Sequence, residues 1–417
     1  GFLLCALYLG LTKKMNESKL AWILLILTAS LVEYSTMLML VTVYSFLRIF
    51  NLNFNKTDLL KLIKDFFIIL SFLLLLLYIS GYFEIRIADT LGVGFGYYKL
   101  NLLSPFDPVD SFNNISWSWF LPDIKLTRGE ELEAFNYLGL GQIIMLFTAF
   151  LFFLNKRYKE NLLSIKNDKQ IKIFIFTSIF MTLWALSNKI SFGAFTLIEI
   201  PLNKYIFAML SVAKNTGRMF WIVNYFLLIL SIVIIFKCFK VRTALSIISL
   251  FLIIQIFDTS SGIKKRINYF TPVAQGIDLK DEIWENLFKK YKIIKTTKPQ
   301  SWPSQFTKLS YAMEKYHVKK TNLAIQARIN RKAAAEARYQ TYSNFRKRKL
   351  TSDTVYIIDN LGHLKHLKNL FKNEDVGFFY RDNIWFMVKN EKKLMNGTDI
   401  ESFDKIEFKL MKINKEE

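Results

Sequence analysis

Two charged residues and one loop have side chains whose surroundings suit chemistry. Glu33 sits inside the apolar run LLILTASLVEYSTMLML, residues 24–40. A carboxylate within a membrane-like stretch is costly and is a functional candidate by default. Alternatively, Glu33 marks the turn between two short helices, hydrated or capping the second. Arg218 lies in SVAKNTGRMF, Ser211–Phe220, just ahead of another apolar run. There a guanidinium could hold a phosphate as a bidentate fork, or snorkel to lipid headgroups. The loop carries Tyr97, Tyr98, Asn101, Trp117, Trp119, Asp123, Arg128, Glu130 and Glu133. Aromatic, amide and charged groups in that mixture can line a polar cavity. Trp and Tyr also belt membrane interfaces without any ligand.

The elements that must position these residues are set by hydropathy. Of 417 residues, 52% are hydrophobic and 39 are Phe. The apolar residues come in blocks with no polar face, such as SFLLLLLYIS (Ser71–Ser80) and YFLLILSIVIIF (Tyr225–Phe236). Blocks of this kind are membrane spans rather than half-buried helices or strands. They stop near Phe257. The expected organisation is a transmembrane domain over 1–258 with about seven helical segments, a linker over 259–279, a soluble α/β domain over 280–390 and a charged tail over 391–417. The first residues, GFLLCALYLG, lack a basic flank and read as the end of a membrane helix that begins upstream, not as a signal peptide.

The net charge of +22 accompanies abundant Lys, Asn, Ile and Phe, as an AT-rich genome produces, and the basic residues are spread over loops. That pattern argues against nucleic-acid binding. Cys5 and Cys238 lie in or beside apolar runs, so no disulfide framework exists in the soluble part.

Basic clusters mark cytoplasmic loops. They occur at Lys13, Lys14 and Lys19; at Lys56, Lys61 and Lys64; from Lys156 to Lys172; and at Lys237, Lys240 and Arg242. The loop over 81–135 is rich in acidic residues and belongs outside. Residues 20–49 lie between two basic clusters and should cross an even number of times, or dip and return. Two short helices meeting near Ser30–Ser35 satisfy this; one long helix does not. Spans then run outward through 60–80, inward through 136–154, outward through 172–190, inward through 219–237 and outward through 243–257, leaving the C-terminal domain extracytoplasmic.

The soluble part alternates helical and strand patterns. Helices are expected over 281–291, 303–316, 331–349 and 361–371, and strands over 292–296, 321–327 and 354–359. A hairpin over 376–389 turns at Arg381–Asn383. Alternation of this kind predicts a small α/β domain with a largely parallel sheet. No GxGxxG, P-loop, GxSxG or HExxH motif is present. No cofactor is expected, and no metal site is assigned. His363 and His366, three apart on a helix, are either a ligand pair or a solvated face.

Four runs occur in order: GYYKLNLLSPFDP (Gly96–Pro108), SWFLPDIKLTRGEELEAFNYLGLG (Ser118–Gly141), NTGRMFW (Asn215–Trp221) and QIFD (Gln255–Asp258). NLAIQARINRKAAAEARYQ followed by TVYIID comes after them. Together they resemble a family of bacterial multi-spanning proteins of unknown function, similar in layout to GT-C glycosyltransferases. The match covers most of the chain. Its motifs are weak singly and specific in combination. The resemblance implies a GT-C-like α-helical polytopic membrane domain followed by a small soluble α/β domain, in a bacterial inner (cytoplasmic) membrane. It implies a polyprenyl-phosphate-linked sugar as donor and an envelope glycan or lipid as acceptor. Membrane lipid is the further partner. The family's acidic catalytic residue would lie in an external loop upstream of Gly1, so no catalytic role is assigned. For substrate binding it points to Tyr97, Tyr98, Asn101, Asp123, Arg128 and Glu133 in the loop. Arg218 would take the donor phosphate, and Asp258 would close the cavity from the C-terminal side. Glu33 remains the intramembrane candidate. The alternatives are a transporter or flippase of a lipid-linked or polar substrate, and an envelope assembly scaffold.

Overall fold

The structure is a computed structural model, and it describes residues 1–12, 18–53, 55–81, 95–111, 114–126, 135–213, 215–275, 279–299, 306–323 and 331–389. The chain divides into two compact units, Gly1–Asn268 and Tyr269–Glu417.

The first unit opens with α1 (Phe2–Leu11), α2 (Lys19–Val32), α3 (Tyr34–Phe50) and α4 (Lys56–Ile79). A short ribbon follows, β1 (Val109–Asp110) with β2 (Ile115–Ser116), and then α5 (Leu140–Leu154), α6 (Leu163–Asn167) and α7 (Lys169–Leu186). The hairpin β3 (Lys189–Phe192) and β4 (Phe195–Glu199) precedes α8 (Lys204–Leu210), α9 (Phe220–Cys238) and α10 (Val241–Gln275). Four helices are long and apolar enough to cross a membrane: Lys56–Ile79, Lys169–Leu186, Thr216–Cys238 and Val241–Ile267. They make the chain a multi-pass membrane protein. Phe67, Leu70 and Leu75 of α4 are exposed, as lipid-facing residues must be. The predicted span over 243–257 lies in the first half of α10, which stays helical through most of the expected linker.

Residues 20–49 form two helices, not one. Helix α2 has 14 residues and α3 has 17. At about 1.5 Å per residue these are roughly 21 and 26 Å long, short of a bilayer core of about 30 Å. They are joined by Glu33 alone, whose backbone is extended at φ −158° and ψ 123°. Trp22 and Tyr44, equidistant from Glu33 in sequence, have ring centroids 5.5 Å apart. The helices therefore fold back on each other, with Glu33 at the tip. Lys19 Nζ to Asp65 at 2.8 Å ties the open end of this hairpin to α4.

Contacts sort the connections of this unit to two ends. At one end Leu100 N donates to Ala185 O at 2.8 Å, Gly217 N donates to Tyr98 O at 3.0 Å, and Arg218 meets Glu33. At the other, Phe152, Tyr158 and Phe239 form an aromatic cluster with centroids 5.1–5.8 Å apart. Between the ends the core is packed by Leu40, Leu47, Phe174 and Phe226, the last two rings stacked at 5.4 Å. The start of α5 presses on α10. Gly139 has φ +86°, and a Cβ there would lie 1.8 Å from Gln255 Nε2. A Cβ on Gly141 would lie 2.2 Å from Phe251 O. Only glycine allows this approach.

The second unit contains α11 (Ile283–Lys290), β5 (Ile293–Thr296), α12 (Phe306–Lys315), β6 (Lys320–Thr321), α13 (Arg331–Arg346), β7 (Thr354–Ile358), α14 (Leu361–Leu370), β8 (Val376–Arg381) and β9 (Ile384–Lys389). The sheet order is β6-β5-β7-β9-β8. Strands β6, β5 and β7 are parallel, while β7, β9 and β8 are antiparallel. The sheet is thus mixed rather than largely parallel. The cause is local: Asp382 and Asn383 have φ of +49° and +63°, as a two-residue type I′ turn requires. Strand β7 is buried on both faces, with Val355 and Ile357 against Trp284 and Phe288, and Tyr356 and Ile358 against Leu364 and Leu367. Of the strand expected over 321–327, Thr321 is the last residue of β6, and 324–327 lie outside the described residues, as does the tail.

Candidate functional site

The hairpin tip delivers Glu33 to the end of the membrane unit where the polar connections gather. Its carboxylate sits at the N-terminus of α3, the positive end of the helix dipole. Thr36 Oγ1 donates to Glu33 Oε2 at 2.5 Å. Arg218 Nη1 pairs with Glu33 Oε1. Arg218 is carried on the tight turn Thr216–Met219 that leads into α9, and its guanidinium lies 5.5 Å from the ring of Trp221. The pair is not sealed: the side chains keep 22% and 29% of their exposure.

Beside this pair lies a cavity of about 440 Å³. Its walls include Thr36, Phe135, Gln142, Trp221, Asn224 and Tyr225, together with Phe2 and Leu3 of α1. Gln142 Nε2 donates to Asn224 Oδ1 at 2.5 Å, and Trp221 Nε1 donates to Phe135 O at 3.2 Å. The volume falls in the range of small-molecule sites. Hydroxyl and amide groups on the walls can bind ligand hydroxyls. Thr36, Gln142, Trp221 and Asn224 were not among the residues singled out from sequence. The available signal was a lone Gln in LGQIIMLF and a lone Asn in FWIVNYFLL, polar groups in otherwise apolar helices.

The loop residues divide. Tyr98 is brought to the Arg218 turn, its carbonyl accepting from Gly217 N at 3.0 Å and from Thr216 Oγ1 at 3.3 Å. Tyr97 packs edge-on against Tyr98, with centroids 5.0 Å apart. Asn101 is fully buried and acts as a staple: it donates to Gly193 O at 2.8 Å and accepts from Gly193 N at 2.9 Å. Those bonds tie the loop to the β3–β4 turn and leave the amide facing protein. Asp123 is exposed. Arg128 and Glu133 lie outside the described residues.

Asp258 is fully buried on α10. It accepts from Ser118 Oγ, from Tyr137 OH at 2.6 Å and from Leu140 N at 3.0 Å. One helical turn earlier, Gln255 accepts from Gln142 N at 3.0 Å and donates to Leu138 O at 3.2 Å. Together they satisfy the first N–H groups of α5, which the helix itself cannot. Burial and the Asp258 carboxylate push the Tyr137 phenol above the ordinary tyrosine range, so it remains a donor. Asp258 therefore positions α5, and through it Gln142, instead of facing the cavity. Among the described residues no group of three or more His, Cys, Asp or Glu is placed to hold a metal ion.

The long apolar helices and the separate mixed α/β unit define a polytopic membrane protein with a distinct C-terminal domain. Residues 1–260 match the family model described as a domain of unknown function (DUF6311), and the chain belongs to that family. The match takes in Glu33, Arg218 and Asp258 and stops before the α/β unit. No curated protein and no solved structure matches the chain.

Proposed function

We propose that this protein is a GT-C-like membrane glycosyltransferase of a bacterial inner membrane. It moves a sugar from a polyprenyl-phosphate donor to an envelope glycan or lipid. The observation that carries the reading is the Glu33–Arg218 pair beside a polar, aromatic cavity at one end of the membrane unit. In this reading Arg218 offers the donor phosphate a fork once it exchanges Glu33 for that phosphate. In the transfer the sugar C1–O bond to phosphate breaks and a bond to an acceptor hydroxyl oxygen forms. The phosphate leaves with the electron pair and the hydroxyl proton passes to a base, which is unassigned. Lys156, Arg157, Lys159, Lys237 and Lys240 lie at the opposite end, and the positive-inside rule supports reading that end as cytoplasmic. The cavity and the C-terminal domain are then extracytoplasmic.

The test is transfer by full-length protein in proteoliposomes from a panel of radiolabelled polyprenyl-phosphate sugars. Transfer that falls at least about tenfold in Arg218→Ala, as loss of one charge-assisted fork predicts, supports the reading. No transfer from any donor, with the protein folded, refutes it. One observation favours a second reading, a transporter of a lipid-linked or polar substrate: the chain breaks at Glu33 between two short helices, and a carboxylate within an apolar stretch is a candidate ion or substrate ligand. Uptake of intact labelled lipid-sugar without transfer would select it.

A further inference from the structure

The second unit holds a site that the reading above does not use. Tyr339, Tyr342 and Arg346 recur at helical spacing, which puts them on one face of α13. His363 and His366 do the same on α14. The two faces enclose a cavity of about 530 Å³, to which Ser343 and Lys347 also contribute, with Phe345, Leu367 and Leu370 beneath. The rings of Tyr342 and His363 approach to 6.2 Å between centroids. Thr297 Oγ1 lies 3.1 Å from His363 Nδ1 and fixes that imidazole. His363 is half-buried and His366 exposed; Arg346 and Lys347 beside them would repel a cation, which argues against a metal pair. Among the described residues no carboxylate lines the cavity.

We infer that this cavity binds an anionic saccharide, a sugar bearing a phosphate or carboxylate. Arg346 and Lys347 supply the charge, with a fork geometry from Arg346. Tyr339 and Tyr342 supply ring faces for the sugar C–H surface, and the histidines and Ser343 reach its hydroxyls. A bare phosphate would leave most of the volume and both tyrosines unused, since the space is that of a small-molecule site. A neutral sugar would make no use of the two cations.

The experiment uses the full chain in lipid nanodiscs, with saturation-transfer NMR and calorimetry. The probes are glucose 1-phosphate, glucuronate, glucose and inorganic phosphate. Glucose 1-phosphate and glucuronate should bind at least about tenfold tighter than glucose, the scale of one charge-assisted contact. Their binding should weaken as salt rises. Arg346→Gln should remove that preference. Tyr342→Ala should lose the sugar phosphate and keep inorganic phosphate. Both residues are exposed, so neither change threatens the core. Equal binding of glucose and glucose 1-phosphate overturns the inference. So does inorganic phosphate binding as tightly as the sugar phosphate, or no binding by any probe to protein that remains folded.

Discussion

Changing Asp258 to Asn tests the account of how α10 holds the membrane unit's polar end. The replacement is isosteric, so it leaves no cavity; only the hydrogen-bond polarity changes. Ser118 Oγ already accepts from Phe120 N at 3.0 Å and from Leu121 N at 2.9 Å. Both its lone pairs are occupied, so its proton must go to Asp258. The other carboxylate oxygen faces two more donors, Tyr137 OH and Leu140 N. An asparagine with its NH₂ toward Ser118 loses that bond and sets donor against donor. Flipped, it does the same to Tyr137 and Leu140. At least one buried bond to a carboxylate is lost and one donor is stranded, a cost of about 2–4 kcal/mol. Tyr137→Phe removes a single donor and should cost about 1 kcal/mol. The assay is equilibrium unfolding in mixed micelles, with hydrogen exchange read at Phe120, Leu121 and Leu140. Asp258→Asn within about 0.5 kcal/mol of the parent, the ordinary spread of surface changes, with Leu140 exchange unchanged, would refute the reasoning.

Other outcomes follow from the same geometry. Gly141→Ala places a methyl 2.2 Å from the Phe251 carbonyl. The backbone must move, so unfolding in micelles should show a loss of about 1–3 kcal/mol, and an unchanged midpoint would mean that α5 is not pressed on α10. Burial, with His366 and Lys298 adding and Asp359 opposing, holds His363 below its ordinary value of 6.5. Its contribution to stability is full above that value and is lost as the pH falls through the lower folded one. Protection factors at Val355–Ile357, taken relative to the intrinsic exchange rate at each pH, should fall between neutral and mildly acidic pH, and His363→Gln should flatten that dependence. Ser111→Cys should react with an impermeant maleimide in intact cells; reaction only after permeabilisation would invert the proposed sidedness.

Much of this molecule is legible in adjacent residues. Unbroken apolar blocks such as Ser71–Ser80 have one stable solution, a helix in lipid, because every backbone polar group must be satisfied internally. The end of those blocks near Phe257 separates membrane from α/β unit. Basic clusters on both sides of 20–49, with too few residues between them for two full spans, call for a break near Ser30–Ser35. The Arg381–Asn383 turn announces a hairpin, since few residues tolerate positive φ. The pattern does not show how that hairpin joins the sheet: strand β9 pairs with β7, and the parallel expectation fails there.

What only the tertiary structure decides is which polar groups meet. Glu33 and Arg218 stand 185 residues apart; each had two readings in sequence, and neither reading showed that the two would meet. Asn101 and Asp258 look like binding residues by type, yet both are buried and bonded to protein. Gln142 and Asn224, inconspicuous in their helices, line the cavity. The reason is physical. Hydropathy and turn chemistry act over a few residues and are written locally. A buried polar group must find its partner wherever packing brings one, and that partner is fixed only when the helices have closed around it.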